Sequence, residues 1–435
     1  MVTFEVPYEL SLNSHTPSSC ARRDLSLQPP PLASLYSYCQ TKFWRDPHSA
    51  FFQEDDVYDL DYSLYREREA WHFISRHNAT VDPPDYTRGA LGRTPICVAM
   101  VTVRRELDTY FEASVGSLLE GLTERERRAL YLSVLFADTD PAVHPSWGQK
   151  WVGRLVDEAG TYNVSTGQLE HLRMLERQRN FYEKGNVNAS YTIIFEDDII
   201  LPRGVELDQV QVRTRPWLYL RLFYTETALG WSDVDAAYRN MPLIVTMFMA
   251  STFCFLLLLR RSPRFQLLHL DILSILVISL LCVPEFTALV YMVGKYSLMP
   301  LRGVVQMNKS GCCTQGLLFP AQQVDGLMAF LEARGHGQTD SMIEEYAELN
   351  RLRRYAVAPP LLQHVGLKSS RDNLDVNTQS TWAFWFETNE PGVLRKEHAE
   401  LLGNADVQEM LETRLDRWRF DAKQKENLVF YKSTP

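Results

Sequence analysis

Apolar positions along this chain fall into two patterns. In the first, short runs of β-branched and aromatic residues alternate with polar or amphipathic stretches. Ile96-Cys97-Val98-Ala99-Met100-Val101-Thr102-Val103, the YLSVLF run at 131–136, Tyr191-Thr192-Ile193-Ile194-Phe195 and residues 216–223 each have the length and make-up of a strand buried on both faces. An amphipathic helix is predicted from about residue 107 to 119, stopped by Gly121, and a charged helix over 168–184. Strands alternating with helices predict an α/β domain with a parallel sheet and right-handed crossovers. Further on, 303–307 and 316–319 read as strands, 341–352 as a helix with Asp340 at its N-cap, and 357–366 as an extended segment carrying His364. Residues 1–94 are irregular, broken by Pro29-Pro30-Pro31 and Pro83-Pro84. Two helix-like patches there, 32–44 and 61–77, carry aromatics at helical spacing suited to packing on the main domain.

The second pattern is continuous. Residues 242–259 form an 18-residue run without a charge, and 272–293 a 22-residue run with one acid, Glu285, beside Pro284. Each is long enough to cross a hydrocarbon core as a helix, and together they predict a membrane hairpin. The connector holds Arg260, Arg261 and Arg264, which the positive-inside bias puts in the cytosol, so both flanks are expected in the lumen. N-x-S/T sequons at Asn78, Asn163, Asn188 and Asn308 agree with that side. So does the chance for disulfides among Cys20, Cys39, Cys97, Cys312 and Cys313, although vicinal Cys312 and Cys313 would pair with each other only under strain. Residues 1–12 have neither the make-up of a signal peptide nor that of a span, and a lost first exon is the expected reason. The division that follows is an N-terminal region (1–94), a first domain part (95–241), the hairpin (242–293), a second domain part (294–390) and a helical tail (391–435).

Composition narrows the chemistry. The formal net charge is −9 and no long basic run occurs, which argues against nucleic acid as a partner. No P-loop, G-x-G-x-x-G or G-x-S-x-G pattern is present, disfavouring P-loop, Rossmann and α/β-hydrolase chemistry. What stands out is Glu196-Asp197-Asp198 at the end of the 191–195 strand, where open α/β sheets place ligands. Three adjacent carboxylates raise one another's pKa unless a cation joins them, and a divalent ion holding a diphosphate is an economical partner. A solvated acidic turn is the plain alternative. Asp138, after the second strand, fits a nucleotide contact or a turn cap. Asp198 is the leading metal ligand, with Asp197 turned toward the ribose or a bound water and Glu196 on Asp198's side, nearer the sheet; Asp138, Glu196, Asp197 and Arg104 are the candidate cofactor-binding residues. His364 is a possible second ligand, although a lone histidine is more often structural. A base is needed for an attacking hydroxyl, and Asp340 leads, with Glu344 and Glu345 as runners-up. Capping is the simpler role for Asp340.

These features together resemble the post-GPI attachment to proteins factor 4 family, the GPI N-acetylgalactosamine transferases of the Golgi. The likeness lies in the EDD triplet 196–198, the 217–220 strand, the inserted hairpin, Gly311-Cys312-Cys313-Thr314-Gln315-Gly316 with Phe319-Pro320, Asp340 through Ala347, Gln363-His364-Val365-Gly366 with Ser369-Ser370, and 382–387. The resemblance implies a GT-A fold split by the hairpin, in a multi-pass Golgi membrane protein with a luminal catalytic domain. It also implies Mn2+-assisted, inverting transfer from UDP-GalNAc to a mannose of the GPI glycan, with Asp198 and His364 as metal ligands and Asp340 as base. GPI-anchored proteins or the free glycolipid would be the acceptor. N-glycan branching GlcNAc-transferases share the EDD and HxG elements without the hairpin and are the nearest alternative; a silent membrane scaffold is the third reading, against which the intact acids argue. The family's first membrane helix is missing from this sequence, and Glu285 is unexpected at membrane depth.

Overall fold

The computed structural model describes residues 31–79, 96–105, 109–162, 166–167, 169–170, 191–197, 199–201, 216–261, 271–307, 314–335, 337–366 and 382–405. The strands are β1 (Ile96–Thr102), β2 (Leu130–Phe136), β3 (Glu158–Gly160), β4 (Tyr191–Phe195), β5 (Ile199–Ile200), β6 (Trp217–Arg221), β7 (Gly303–Gln306), β8 (Gly316–Pro320), β9 (Arg353–Ala358) and β10 (Gln363–His364). Eight of them form one mixed sheet in the order β3-β2-β1-β4-β8-β6-β9-β7, and β5 pairs with β10 in a small second one. β1, β2, β3 and β4 run parallel, as the buried apolar runs predict, whereas β8 is antiparallel to both β4 and β6. Strands from before and after the two long apolar helices therefore share one sheet.

The helices are α1 (Pro31–Phe43), α2 (Glu54–Val57), α3 (Tyr62–Ala79), α4 (Phe111–Leu119), α5 (Glu124–Ala129), α6 (Lys150–Leu155), α7 (Ala236–Arg239), α8 (Met241–Arg261), α9 (Ile272–Met292), α10 (Lys295–Leu298), α11 (Ala321–Arg334), α12 (Thr339–Leu349) and α13 (Pro391–Gly403). Alternation along the strands sends side chains to two cores. Val98, Met100, Leu132, Ile193 and Phe195 pack with Phe111, Val115 and Leu119 of α4 and with Trp151. Tyr219, Leu317 and Phe319 meet Leu327 of α11 and Ile343 and Ala347 of α12. Each fully buried side chain of this size contributes roughly 1.5–3 kcal/mol.

The N-terminal helical patch is integral to the domain. α3 crosses α4 so closely that a Cβ on Gly116 would stand 2.7 Å from the Ala70 Cβ. Arg66, 1% exposed, donates to Glu120 (2.6 Å), to Glu69 and to the carbonyls of Ser117 and Leu201. Glu387 accepts from the N–H groups of Asp61 and Ser63 and from Gln363 Nε2, so residue 387 ties the start of α3 to β10.

Both long apolar helices are 21 residues, and either could cross a membrane. No residue of α8 is buried; in α9 Ile275, Ser279 and Thr287 are, a stripe at helical spacing. Residues Ile278–Cys282 form a π-turn just before Pro284. Proline lacks the N–H that would continue the ladder, and the wider turn absorbs the break.

Several expectations change. The first amphipathic helix starts at Phe111, and α11, unmarked by any clear pattern, fills residues 321–334. The helix expected over 341–352 runs from Thr339 to Leu349, so Asp340 sits in its first turn and Gln338 is the N-cap. Gly335 and Gly337, with φ of 72° and 151°, end α11 and start the next helix early. At the other end Arg351 adopts φ 54° and Leu352 N–H closes on the Ala347 carbonyl, which stops the helix before residue 352. Cys39 and Cys97 are buried free thiols, and burial pushes the Cys97 thiol up to about 12. Of the charged helix expected over 168–184, residue 168 and residues 171–184 lie outside the described residues, as do Asn163, Asn188, Asn308, Cys20, Cys312 and Cys313, while Asn78 is exposed near the end of α3.

Candidate active site

Strands β1, β2 and β4 end side by side, with Thr102 in register with Phe136 and Met100 with Phe195. Two residues beyond each strand end come Arg104, Asp138 and Asp197. Asp138 is buried and its two carboxylate oxygens accept the Arg104 N–H at 3.2 and 3.0 Å. It thus bridges two strand ends, and Asp140 does the turn capping instead, accepting from Ala142 N–H at 3.1 Å.

Within the triplet, neighbouring carboxylates diverge. Glu196 turns toward the segment entering β8, where Thr314 donates its hydroxyl (2.5 Å) and N–H (3.3 Å) to Oε1. Asp197 turns inward and is 5% exposed. Its Oδ1 pairs with Arg105 at 2.5 Å and its Oδ2 accepts the Thr102 hydroxyl at 2.8 Å. Ser146 N–H donates to His144 Nδ1, so the ring's Nε2–H is the one that donates to Thr102 Oγ1 at 3.0 Å. Burial lowers His144 to about 4, keeping the imidazole neutral. A relay therefore runs His144 to Thr102 to Asp197, closed by the Arg105 cation. Ser114 holds the backbone beyond it, donating to the carbonyls of Asp197 and Ile199 and accepting Ile199 N–H.

Asp198 itself lies outside the described residues. The antiparallel pairing of β5 with β10 sets His364 opposite Ile199, the residue that follows it. Gly316 permits this approach: a Cβ there would stand 2.7 Å from Leu362 Cδ2 and 3.2 Å from the Phe195 ring. Among the described residues no three His, Cys, Asp or Glu side chains form a metal cluster.

Beside the relay, a pocket is lined by Arg105, Tyr110, Glu112, His144 and Asp197. The Arg105 guanidinium lies 5.3 Å from the centre of the Tyr110 ring. Glu112, 5% exposed, accepts from the Ser146 hydroxyl through Oε1, and its Oε2 has no protein partner among the described residues.

The base candidates stand in α12. Asp340 is half-buried and accepts Ser341 N–H at 2.7 Å. Glu345 pairs with Arg334 at the surface. Glu344 is held by the Tyr219 hydroxyl at 2.5 Å and by Arg354.

A model of the family described as GPI-N-acetylgalactosamine transferase PGAP4 matches residues 96–363, more than half of the 435-residue chain. The chain belongs to the PGAP4 family. PGAP4-family members are glycosyltransferases, and the matched span contains the whole eight-stranded sheet and both long apolar helices. It ends one residue before His364. A comparison with curated proteins returned no match.

The pattern of the sequence does not mark Thr102, Arg105, Ser114, Glu112 or His144 as site residues. The Arg104-Arg105 pair was the available signal. Alternation leaves open which of two neighbours faces in, and here Arg104 serves through its backbone and Arg105 through its side chain.

Proposed function

We propose that this chain transfers N-acetylgalactosamine from UDP-GalNAc to a mannose of the GPI glycan, in the Golgi, through a GT-A-type site at the ends of β1, β2 and β4. The observation that carries this reading is the family match over sheet and hairpin together. The ends of parallel strands are where α/β sheets hold nucleotides, and the small pocket lined by Arg105, Tyr110, Glu112 and Asp197 lies at those ends. Tyr110 offers a ring face, and Glu112 Oε2 would accept a ribose hydroxyl or a base N–H. Arg105, held by Asp197, would stand beside the donor as a hydrogen-bond donor.

Asp198 and His364 would hold a divalent ion such as Mn2+. Two protein ligands suffice where diphosphate and water supply the rest, and the β5–β10 register favours the pair. Bound there, the ion would neutralise the leaving diphosphate. In the transfer, the acceptor hydroxyl gives its proton to a carboxylate as its oxygen bonds to the sugar's C1 and the C1–O bond to UDP breaks. Inversion follows from attack opposite the leaving group. Asp340, in the first turn of α12, is the leading candidate for the base, and Glu345 pairs with Arg334 at the surface.

The test compares the chain with Asp198→Ala and His364→Ala for N-acetylgalactosamine incorporation into GPI-anchored proteins, with chelation and Mn2+ restoration in parallel. Both variants should lose transfer by at least about 100-fold, the scale expected for loss of charge stabilisation at a leaving group. Equal incorporation removes the metal-site reading. Altered N-glycan branching with unchanged GPI glycans redirects the assignment to an N-glycan transferase.

A further inference from the structure

The two long helices leave and rejoin the sheet at one place, and that place is built differently from the rest of the surface. Asp235, just before α7, pairs with Lys295 of α10 at 2.7 and 2.8 Å. Tyr291 at the end of α9 donates to the Ala237 carbonyl (2.9 Å), and Trp231 Nε1 donates to the Tyr291 carbonyl (3.2 Å). The Trp231 ring stacks on Tyr238 and tilts against Tyr291. Behind this collar Asp46, fully buried, accepts the Ser297 N–H and hydroxyl, each at 2.9 Å, and Ala50 N–H reaches the Met292 carbonyl. Gly294 (φ 96°) lets the chain pass Asp46: a Cβ there would stand 2.4 Å from Oδ2. The entering and leaving segments are thus locked to each other and to the domain.

Around this collar the large apolar side chains face outward. Leu298, Met299, Leu301 and Val304 are 36–56% exposed along one short stretch, and Val234 is 87% exposed next to Asp235. Arg302 lies exposed among them. β7, which carries Val304, stands at one end of the large sheet among the described residues. A run of this kind is costly in water and marks an interaction surface.

The helix lengths say what covers it. At about 1.5 Å per residue, 21 residues span roughly 31 Å, the thickness of a hydrocarbon core. If the core ends at Met241 and Met292, residues 234–240 and 293–304 fall at the headgroup level. Trp and Tyr rings with satisfied polar tips, apolar side chains pointing out, and an arginine able to reach phosphates are the residues that depth selects.

We propose that Val234, Tyr238 and the stretch from Leu298 to Val304 form a seat that rests in the interfacial layer of the bilayer, beyond the two spans themselves. The seat sets the height of the sheet above the lipid and turns the β7 edge toward it. This rests on the membrane reading of α8 and α9 and stands whether or not the chain transfers a sugar.

The test places an environment-sensitive fluorescent residue at Met299 of the full chain in liposomes containing doxyl-labelled lipids. Matching probes sit at Phe248, mid-way along α8, and at Val143, exposed beyond β2 some six strands across the sheet from β7. Met299 should show blue-shifted emission and at least two-fold stronger quenching by lipid labelled near the headgroup than by lipid labelled deep in the chain. Phe248 should show the reverse preference, and Val143 should respond to aqueous iodide. A Met299 probe quenched by iodide as fully as Val143, with Phe248 still quenched by deep label, overturns the seat alone. Loss of lipid quenching at Phe248 as well overturns the spans with it. Blue-shifted Met299 emission that grows with protein-to-lipid ratio and ignores lipid quenchers overturns the seat in favour of a second copy of the chain.

Discussion

Two buried polar stations hold this protein together, one at the strand ends and one behind the helix collar, and they are solved differently. At the strand ends Asp197 is joined by a guanidinium, a hydroxyl and, through it, a neutral histidine. Behind the collar Asp46 is held by N–H groups and a serine hydroxyl. Nearby Glu226, completely buried, caps the N–H groups of Phe384 and Trp385, and burial pushes its carboxyl up to about 7. A guanidinium paired with a carboxylate sets a charged, directional donor group at the strand ends. Backbone N–H groups and one serine hydroxyl satisfy the Asp46 carboxylate and end there. The first arrangement suits a binding site, the second a joint.

The sharpest way to break this comparison is to empty each station. Asp46→Ala leaves the His48 and Ser297 N–H groups and the Ser297 hydroxyl without their acceptor, and should cost on the order of 3 kcal/mol. It should lower the melting temperature in detergent while the folded fraction keeps its transfer rate per molecule. Loss of transfer by fully folded Asp46→Ala would mean that joint and site are not separable. Thr102→Val cuts the relay at the site, with an expected cost of about 2 kcal/mol. Its larger signature should be weaker donor binding, measured by titration with the UDP-sugar.

The two stations should also titrate with opposite sign. The folded chain keeps the Glu226 proton between the ordinary 4.5 and about 7, where the unfolded chain has released it. That contribution to stability is complete below about 4.5 and fades as pH rises to about 7. His144 stays neutral in the folded chain down to about 4, while the unfolded imidazole protonates at 6.5. Its contribution is complete above about 6.5 and fades as pH falls toward 4. Melting curves across pH 4.5–7 should therefore lose their alkaline decline in Glu226→Gln and their acid decline in His144→Gln. Parallel changes in the two variants would contradict the assignment. The smallest effect belongs to Glu345→Gln, which removes a surface pair worth at most about 1 kcal/mol. Transfer should be unchanged there and lost in Asp340→Asn; the reverse result would exchange the two roles.

Much of the framework was legible because it is local. β1, β2, β4 and β8 are short apolar runs, and α8 and α9 are long ones, so their ends could be placed within a few residues. The start of α12 was misplaced by a residue or two because Asp340 is as good a cap as the sequence offers, while the glycines before it decide where the helix begins. α11 left no clear trace, since few of its residues are buried. The inward turn of Asp197 was hidden for a related reason: alternation says that neighbours diverge, without saying which one meets Arg105.

The sequence by itself determined that the chain has a strand-built domain, two apolar helices of membrane length within it, and a cluster of acids at a strand end. Those features depend on neighbours a few residues apart. Only the tertiary structure decided that β8 lies between β4 and β6, that His364 stands opposite Ile199, that His144 reaches Asp197 through Thr102, and that Glu387 joins α3 to β10. Each of these is a pairing across tens to hundreds of residues. Such pairings are chosen by how two cores and their buried polar groups can all be satisfied at once, and no stretch of the chain carries that information alone.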